Sequence, residues 1–420
     1  MTFRIAIRNV FRHKTRSIIT LSAIAFGCVS LIFVGGFFED MFFKMRESYI
    51  KGHTGHLQIY RRDFFEHGSG RPFQYLIESP AALLPLITQI PGVSSVTQRL
   101  EFAGLISTGE TTISCLAQGI EPAHEPTIRL SDAANPKQDL PSLGGSVIES
   151  GEPLADQQPY AVLLGRGLAG GIDAKAGDSL VLVAHTVDGA INALDVNVAG
   201  LFYTSSKAFD DHTLRIPLAT AQQLLQTQAI QSLVVMLRRT EDTARIRQAV
   251  EQLIAREGLD LEVKSWDQIS DFYSKTRELF GRMFMILKLV IAIIVVLSIY
   301  NTMNMAVVER TSEIGTIMAM GTKRRRVIRL FLYEGALLGS FGGLLGILIG
   351  AGVTWLVRSV GIPMPPPPGA TMTWVSEPQI VPSVLGFVFL LALLTSLISS
   401  LYPAYKASRL EIAQALRHAG

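Results

Sequence analysis

Cysteine occurs only twice in 420 residues, as Cys28 and Cys115, so no framework of disulfides is available and each folded part must rest on its own core. The usual chemistry-bearing patterns are missing as well. There is no GxxxxGK followed by Ser or Thr, and so no P-loop of the chain's own. HExxH, GxSxG and metal-type Cys/His clusters do not occur either. His53 and His56 in KGHTGHLQIY stand three apart, but a lone HxxH at a loop-to-strand boundary is too weak to carry a metal site. The reading is therefore catalytic residues none, metal none. Charge is also scarce, at 17% of the chain.

Apolar residues fill the space that charge leaves. They make up 48% of the chain, and the mean hydropathy of +0.33 is too high for an ordinary soluble protein. Four stretches, 17–38, 284–308, 327–357 and 381–403, reach the roughly 20 apolar residues that cross a bilayer core. The first exceeds the roughly 7–15 residues of a secretory signal core, and Cys28 sits mid-run, so it reads as a retained helix.

Basic residues gather at the flanks. Segments 1–16, 309–329 and 404–420 hold 14 basic and 3 acidic side chains, which leaves the remainder at −8 within an overall +3. Positive flanks stay in the cytoplasm. Both termini and the 309–326 loop are therefore expected inside. The run Lys323, Arg324, Arg325, Arg326 opposes the dipole of a helix starting near it, so it reads as a headgroup anchor. No aromatics interleave with it, which argues against nucleic acid as a partner.

The fold class expected is integral membrane and α-helical, with a large α+β extracytoplasmic domain. The domains run 1–16 (amphipathic helix with Phe3, Ile7, Val10 and Phe11), 17–38 (span 1), 39–283 (outer domain), 284–308 (span 2) and 309–326 (inner loop). Then follow 327–357 (span 3), 358–380 (outer Pro-rich linker), 381–403 (span 4) and 404–420 (tail). Within the outer domain, 56–60, 94–102, 111–120, 179–185 and 196–202 read as strands, and 80–90 and 243–257 as helices. The second helix lies between QSLVVMLRR and LDLEVKSW, as in a strand–helix–strand crossover. Residues 125–160 read as an excursion, 266–283 as a stalk helix and PMPPPPG (363–369) as a stiff linker.

Span 3 carries two four-residue glycine series: Gly335, Gly339, Gly343 and Gly342, Gly346, Gly350. Such spacing brings helices close in lipid, within one chain or between two. Glu334 lies about 10 Å into the span counted from Val327, too deep for an unpaired carboxylate. Arg310 or Arg12 is its expected partner, in a structural or a functional pair. In the loop, Ile314, Ile317 and Met318 give a short helix one greasy face, with Gly321 as its C-cap. That face suits the membrane surface or a partner's cleft.

The stretch ERTSEIGTIMAMGTKRRRVIRLFLYEG (309–335), with the glycine-rich span after it, resembles the FtsX-like/MacB-type permease family of ABC transporters. Glu309, Arg310, Glu313, Ile314, Gly315, Ala319, Gly321, Ile328, Phe331 and Glu334 fit the family pattern, and YPAYKASRLEIAQALR (402–417) resembles its closing stretch. The resemblance implies a place in a bacterial plasma (inner) membrane and an outer domain of MacB periplasmic type. It further implies a coupling helix over 309–321, including Ile317 and Met318, that docks on a cytoplasmic ABC ATPase dimer. A charge at Gly315 or Met318 would then weaken docking. No cofactor is expected in this chain, because ATP and Mg belong to the ATPase. Other implied partners are a second permease copy or paralogue, membrane lipids, and a periplasmic accessory or lipoprotein substrate of the lipoprotein-releasing (Lol-type) branch. The work implied is mechanotransmission, and the alternative is a signal transducer acting on a cell-wall hydrolase.

Overall fold

The computed structural model describes residues 2–12, 14–68, 70–124, 127–129, 146–204, 206–366 and 373–410. Contacts divide the chain into two units. A membrane unit comprises Met1–Phe42, Arg277–Ile362 and Ser376–Gly420, and an α+β unit comprises Phe43–Thr276 and Pro363–Val375. The main helices are α1 (Thr2–Arg12), α2 (Lys14–Tyr49), α3 (Pro80–Thr88), α4 (Leu218–Leu225) and α5 (Thr243–Arg256). After them come α6 (Asp271–Glu309), α7 (Thr311–Ala319), α8 (Arg324–Val360) and α9 (Pro382–Ser408).

Among the described residues four helices, α2, α6, α8 and α9, are long and apolar enough to cross a membrane. The 39 residues of α6 rise about 58 Å, roughly twice the hydrocarbon thickness. The stalk expected over 266–283 is interrupted: Trp266–Ile269 opens with a Ser265/Gln268 capping box, and α6 begins only after Ser270. In α1, the side chains of Phe3, Val10 and Phe11 lie outside the described residues, as do 411–420 of the tail and 367–369 of the proline run.

Glycine brings the membrane helices together on two sides of α8. A Cβ on Gly335 or Gly339 would meet Ser400 or Ser396 of α9, and one on Gly343 would meet Phe389. On the other side Gly342, Gly346 and Gly350 face Ile24, Cys28 and Ile32 of α2, residues that share the same four-residue spacing. The spans also carry polar groups. Ser396 donates to the Gly335 carbonyl, and Thr20 bonds Thr302 at 2.9 Å. The hydroxyls of Ser396, Thr20 and Thr302 each have an acceptor, which makes them tolerable in lipid.

The α+β unit is built on strands β1 (Leu57–Arg61), β2 (Val93–Ser107), β3 (Thr112–Ile120), β4 (Thr127–Arg129), β5 (Ser146–Gly151) and β6 (Ala161–Gly165). It continues through β7 (Ser179–His185), β8 (Ile191–Tyr203), β9 (Thr213–Pro217), β10 (Ser232–Leu237) and β11 (Leu261–Ser265). The order is β11-β1-β10-β2-β3-β9-β6-β8-β5-β4, with β7 pairing both β2 and β8. The expected crossover is present with a strand inserted: β1 runs antiparallel to both β10 and β11, so these two are parallel but not adjacent. Ile246, Val250 and Ile254 of α5 join the core that covers this sheet. Of the expected excursion, β4 and β5 are described and 130–145 lie outside the described residues.

His56 is a structural residue here. Its Nδ1 accepts the Leu237 N–H at 3.1 Å, so its proton sits on Nε2, facing Thr240 Oγ1 at 3.1 Å. Thr240 in turn donates to Glu47 at 3.0 Å. Both ring nitrogens are engaged, which leaves neither for a metal. Burial pushes His56 down to about 4. Burial, then the charges of Arg215 and Arg99, push His53 down to about 3. Above pH 6.5 both forms of the chain hold these rings neutral. Below it the unfolded chain takes up protons that the folded one refuses, so stability falls from about pH 6.5 towards 4. For His56 alone the loss is on the order of 3 kcal/mol. Unfolding midpoints of wild type and His56→Asn across this window are expected to converge as pH falls. Parallel curves would refute the assignment.

Candidate functional site

The loop region is assembled from α6, α7, α8 and α1. Arg310 ends α6 and serves as N-cap of α7. At the other end Gly321 takes φ +88°, which a side chain would resist, while its N–H reaches Met318 O and the Thr322 N–H reaches Ile317 O. This is a Schellman closure, and it ends the helix where the sequence places glycine. The next helix starts at Arg324 with Lys323 as its N-cap, one turn of cations at its positive end. Lys323, Arg324, Arg325 and Arg326 are all exposed.

Beneath the loop lies a buried ion pair. Arg310 Nη1 donates to Glu334 Oε1 at 2.9 Å, with side chains 6% and 4% exposed. Asn9 Nδ2 of α1 donates to the same oxygen at 2.5 Å. Two more pairs tie α1 and the start of α2 to the loop, Arg12–Glu313 at 3.3 Å and Arg16–Glu309 at 2.8 Å. Because Arg12 is taken up by Glu313, Arg310 is the partner of Glu334. The outer pairs are exposed enough to contribute at most about 1 kcal/mol each. The buried pair differs: its desolvation is offset only while both partners remain.

The greasy face of α7 divides. Ile314, Gly315 and Met318 are buried against the chain's own membrane core, whereas Ile317 is 39% and Met320 74% exposed. Glu313, Thr316 and Ala319 are exposed beside them. The expectation that Gly315 and Met318 form a docking face is therefore corrected, since a partner cannot reach them. The available surface is Glu313, Thr316, Ile317, Ala319 and Met320, followed by the cations.

Residues 285–412 match the FtsX-like permease C-terminal family, and residues 17–253, more than half of the chain, match the MacB-like periplasmic core domain. The chain belongs to the MacB-like, FtsX-like permeases of ABC transporters. Among relatives, the macrolide export ATP-binding/permease protein MacB of Syntrophobacter fumaroxidans is 31% identical over 45% of this chain and 26% of its own length. The lipoprotein-releasing system transmembrane protein LolC of Haemophilus influenzae is 31% identical over 36% of this chain and 37% of its own. An ABC transporter permease of Methanocaldococcus jannaschii is 24% identical over 65% and 66%. The chain thus spans between a quarter and two thirds of these relatives. The periplasmic region of MacB from Actinobacillus actinomycetemcomitans superposes with a TM-score of 0.36 at 15% identity, covering 55% of this chain and 98% of that one.

Within this permease, residue reasoning missed Asn9 and Arg16. Nothing in their local sequence marks them, because their partners lie 325 and 293 positions away. A concavity of about 320 Å³ lies in the α+β unit among His53, Tyr60, Arg99, Glu101, Phe209 and Ser270. Its volume suits a small molecule rather than a lipid-anchored polypeptide.

Proposed function

We propose that this permease transmits ATP-driven motion from a separate cytoplasmic ABC ATPase dimer, docked on α7, to its MacB-like domain, moving an amphipathic substrate such as a lipoprotein. The observation that carries the reading is the division of α7. One side is fixed into the membrane unit by Ile314, Met318 and the Arg310–Glu334 pair, while the other presents Ile317 and Met320 to a partner. A helix held on one face and free on the other transfers a push applied to the free face. The basic flanks orient the loop and both termini towards the cytoplasm, where ATP is. A second copy or paralogue completes the permease in this reading.

Docking is tested at the free face. Ile317→Glu is expected to lower co-purification of the ATPase in mild detergent about tenfold, the effect of losing one interface anchor, with the melting temperature of the permease unchanged. Met318→Glu is expected to lower the melting temperature itself. Full ATPase recovery with Ile317→Glu would sink the assignment.

A further inference from the structure

Lys288 is the one Asp, Glu, Lys or Arg of the span expected at 284–308, and none of the arrangements described above uses it. Its ammonium stands over the Phe284 ring at 4.4 Å and the Phe387 ring at 4.5 Å. Among the described residues no carboxylate forms an ion pair with it. An intramembrane cation normally has a named counter-charge, and here the protein supplies rings in place of an acid.

Depth indicates where the counter-charge comes from. Glu309, paired with Arg16 where the apolar run of α2 begins, marks the polar boundary at the loop end. Lys288 is 21 residues away on the same helix, about 31 Å along its axis. This equals the hydrocarbon thickness of a bilayer. α9 gives a similar length, measured from a level five residues inside Glu309 on α6. Phe387 lies 19 residues, about 28 Å, from Lys406, whose Nζ is 3.4 Å from Asn304 of α6. Both helices place the ammonium near the far edge of the hydrocarbon, within reach of lipid headgroups. Phe284 stands one turn beyond Lys288, with its ring against the ammonium on that side.

We propose that Lys288, with Phe284 and Phe387, is a binding site for the phosphate of an anionic phospholipid in the leaflet farther from the α6–α7 loop. The rings hold the ammonium in place, and the absence of an acid partner among the described residues leaves a whole positive charge for the lipid. The inference rests on the membrane reading of the four helices and is independent of ATPase docking.

The test uses the full chain in mixed vesicles of phosphatidylglycerol and phosphatidylcholine, extracted gently, with bound lipid counted by native mass spectrometry. Wild type is expected to retain phosphatidylglycerol preferentially, Lys288→Gln to lose that preference about fivefold, and Lys288→Arg to keep it. Phe387→Leu, which leaves the charge in place, is expected to weaken it, and so serves if Lys288→Gln fails to fold. Undiminished preference in a folded Lys288→Gln chain would overturn the proposal. Displacement of the lipid by inorganic phosphate would overturn it too, because the site would then take a free anion rather than a headgroup.

Discussion

Glu334→Leu is expected to destabilise the membrane unit by about 3–5 kcal/mol, the cost of leaving a buried charge without its partner. The Nε and Nη2 of Arg310 already lack partners among the described residues. Removing Oε1 takes away the one described acceptor the guanidinium has, and it frees Asn9 as well. The double variant Arg310→Met/Glu334→Leu replaces the pair with apolar volume and is expected to recover most of the loss. Melting temperature in detergent and ATPase stimulation in the reconstituted complex separate two roles. Recovery of both would make the pair a packing device alone. Recovery of melting without stimulation would show that it carries motion from α7 into α8. A Glu334→Leu chain that melts like wild type would refute the burial argument itself.

The depth of Glu334 and the presence of a cation opposite it were legible in the sequence, because 1.5 Å per residue converts position into depth. The choice between Arg310 and Arg12 was not, since it turned on Glu313 capturing Arg12. The four spans and the short helix were legible for the same reason, as lipid demands long unbroken apolar runs. The direction of the α7 face was not legible. Apolar spacing identifies a stripe, but beside a membrane that stripe faces lipid, the chain's own core or a partner equally well. Ile314 and Met318 went inward and Ile317 outward, a difference one step in sequence wide. In the α+β unit the strands announced themselves by alternation, yet the insertion of β1 between β10 and β11 joins residues about 175 to 205 positions apart. No local pattern encodes such a pairing. Lys288 escaped notice because one lysine among so many apolar residues does not interrupt a span.

Gly346→Leu is expected to cost about 3 kcal/mol or more, the upper range for overpacking. A Cβ there would stand 2.5 Å from Cys28 Cβ and 3.1 Å from both Cα and O of Ala25. None of these is the movable end of a side chain, so α2 and α8 would have to separate. Gly352, six residues further along the same helix, has nothing within 4 Å of the corresponding position. Gly352→Leu is therefore the control for the general effect of leucine in α8 and is expected to melt like wild type. Cys28→Gly combined with Gly346→Ala restores space across the contact and is expected to recover stability that Gly346→Ala alone loses. These measurements also decide what the glycine series is for. If it packs helices within one chain, Gly346→Leu lowers the melting temperature and leaves the oligomeric state of the surviving protein unchanged. If the melting temperature held while the oligomeric state changed, the contact with α2 would not be what selects glycine at 346.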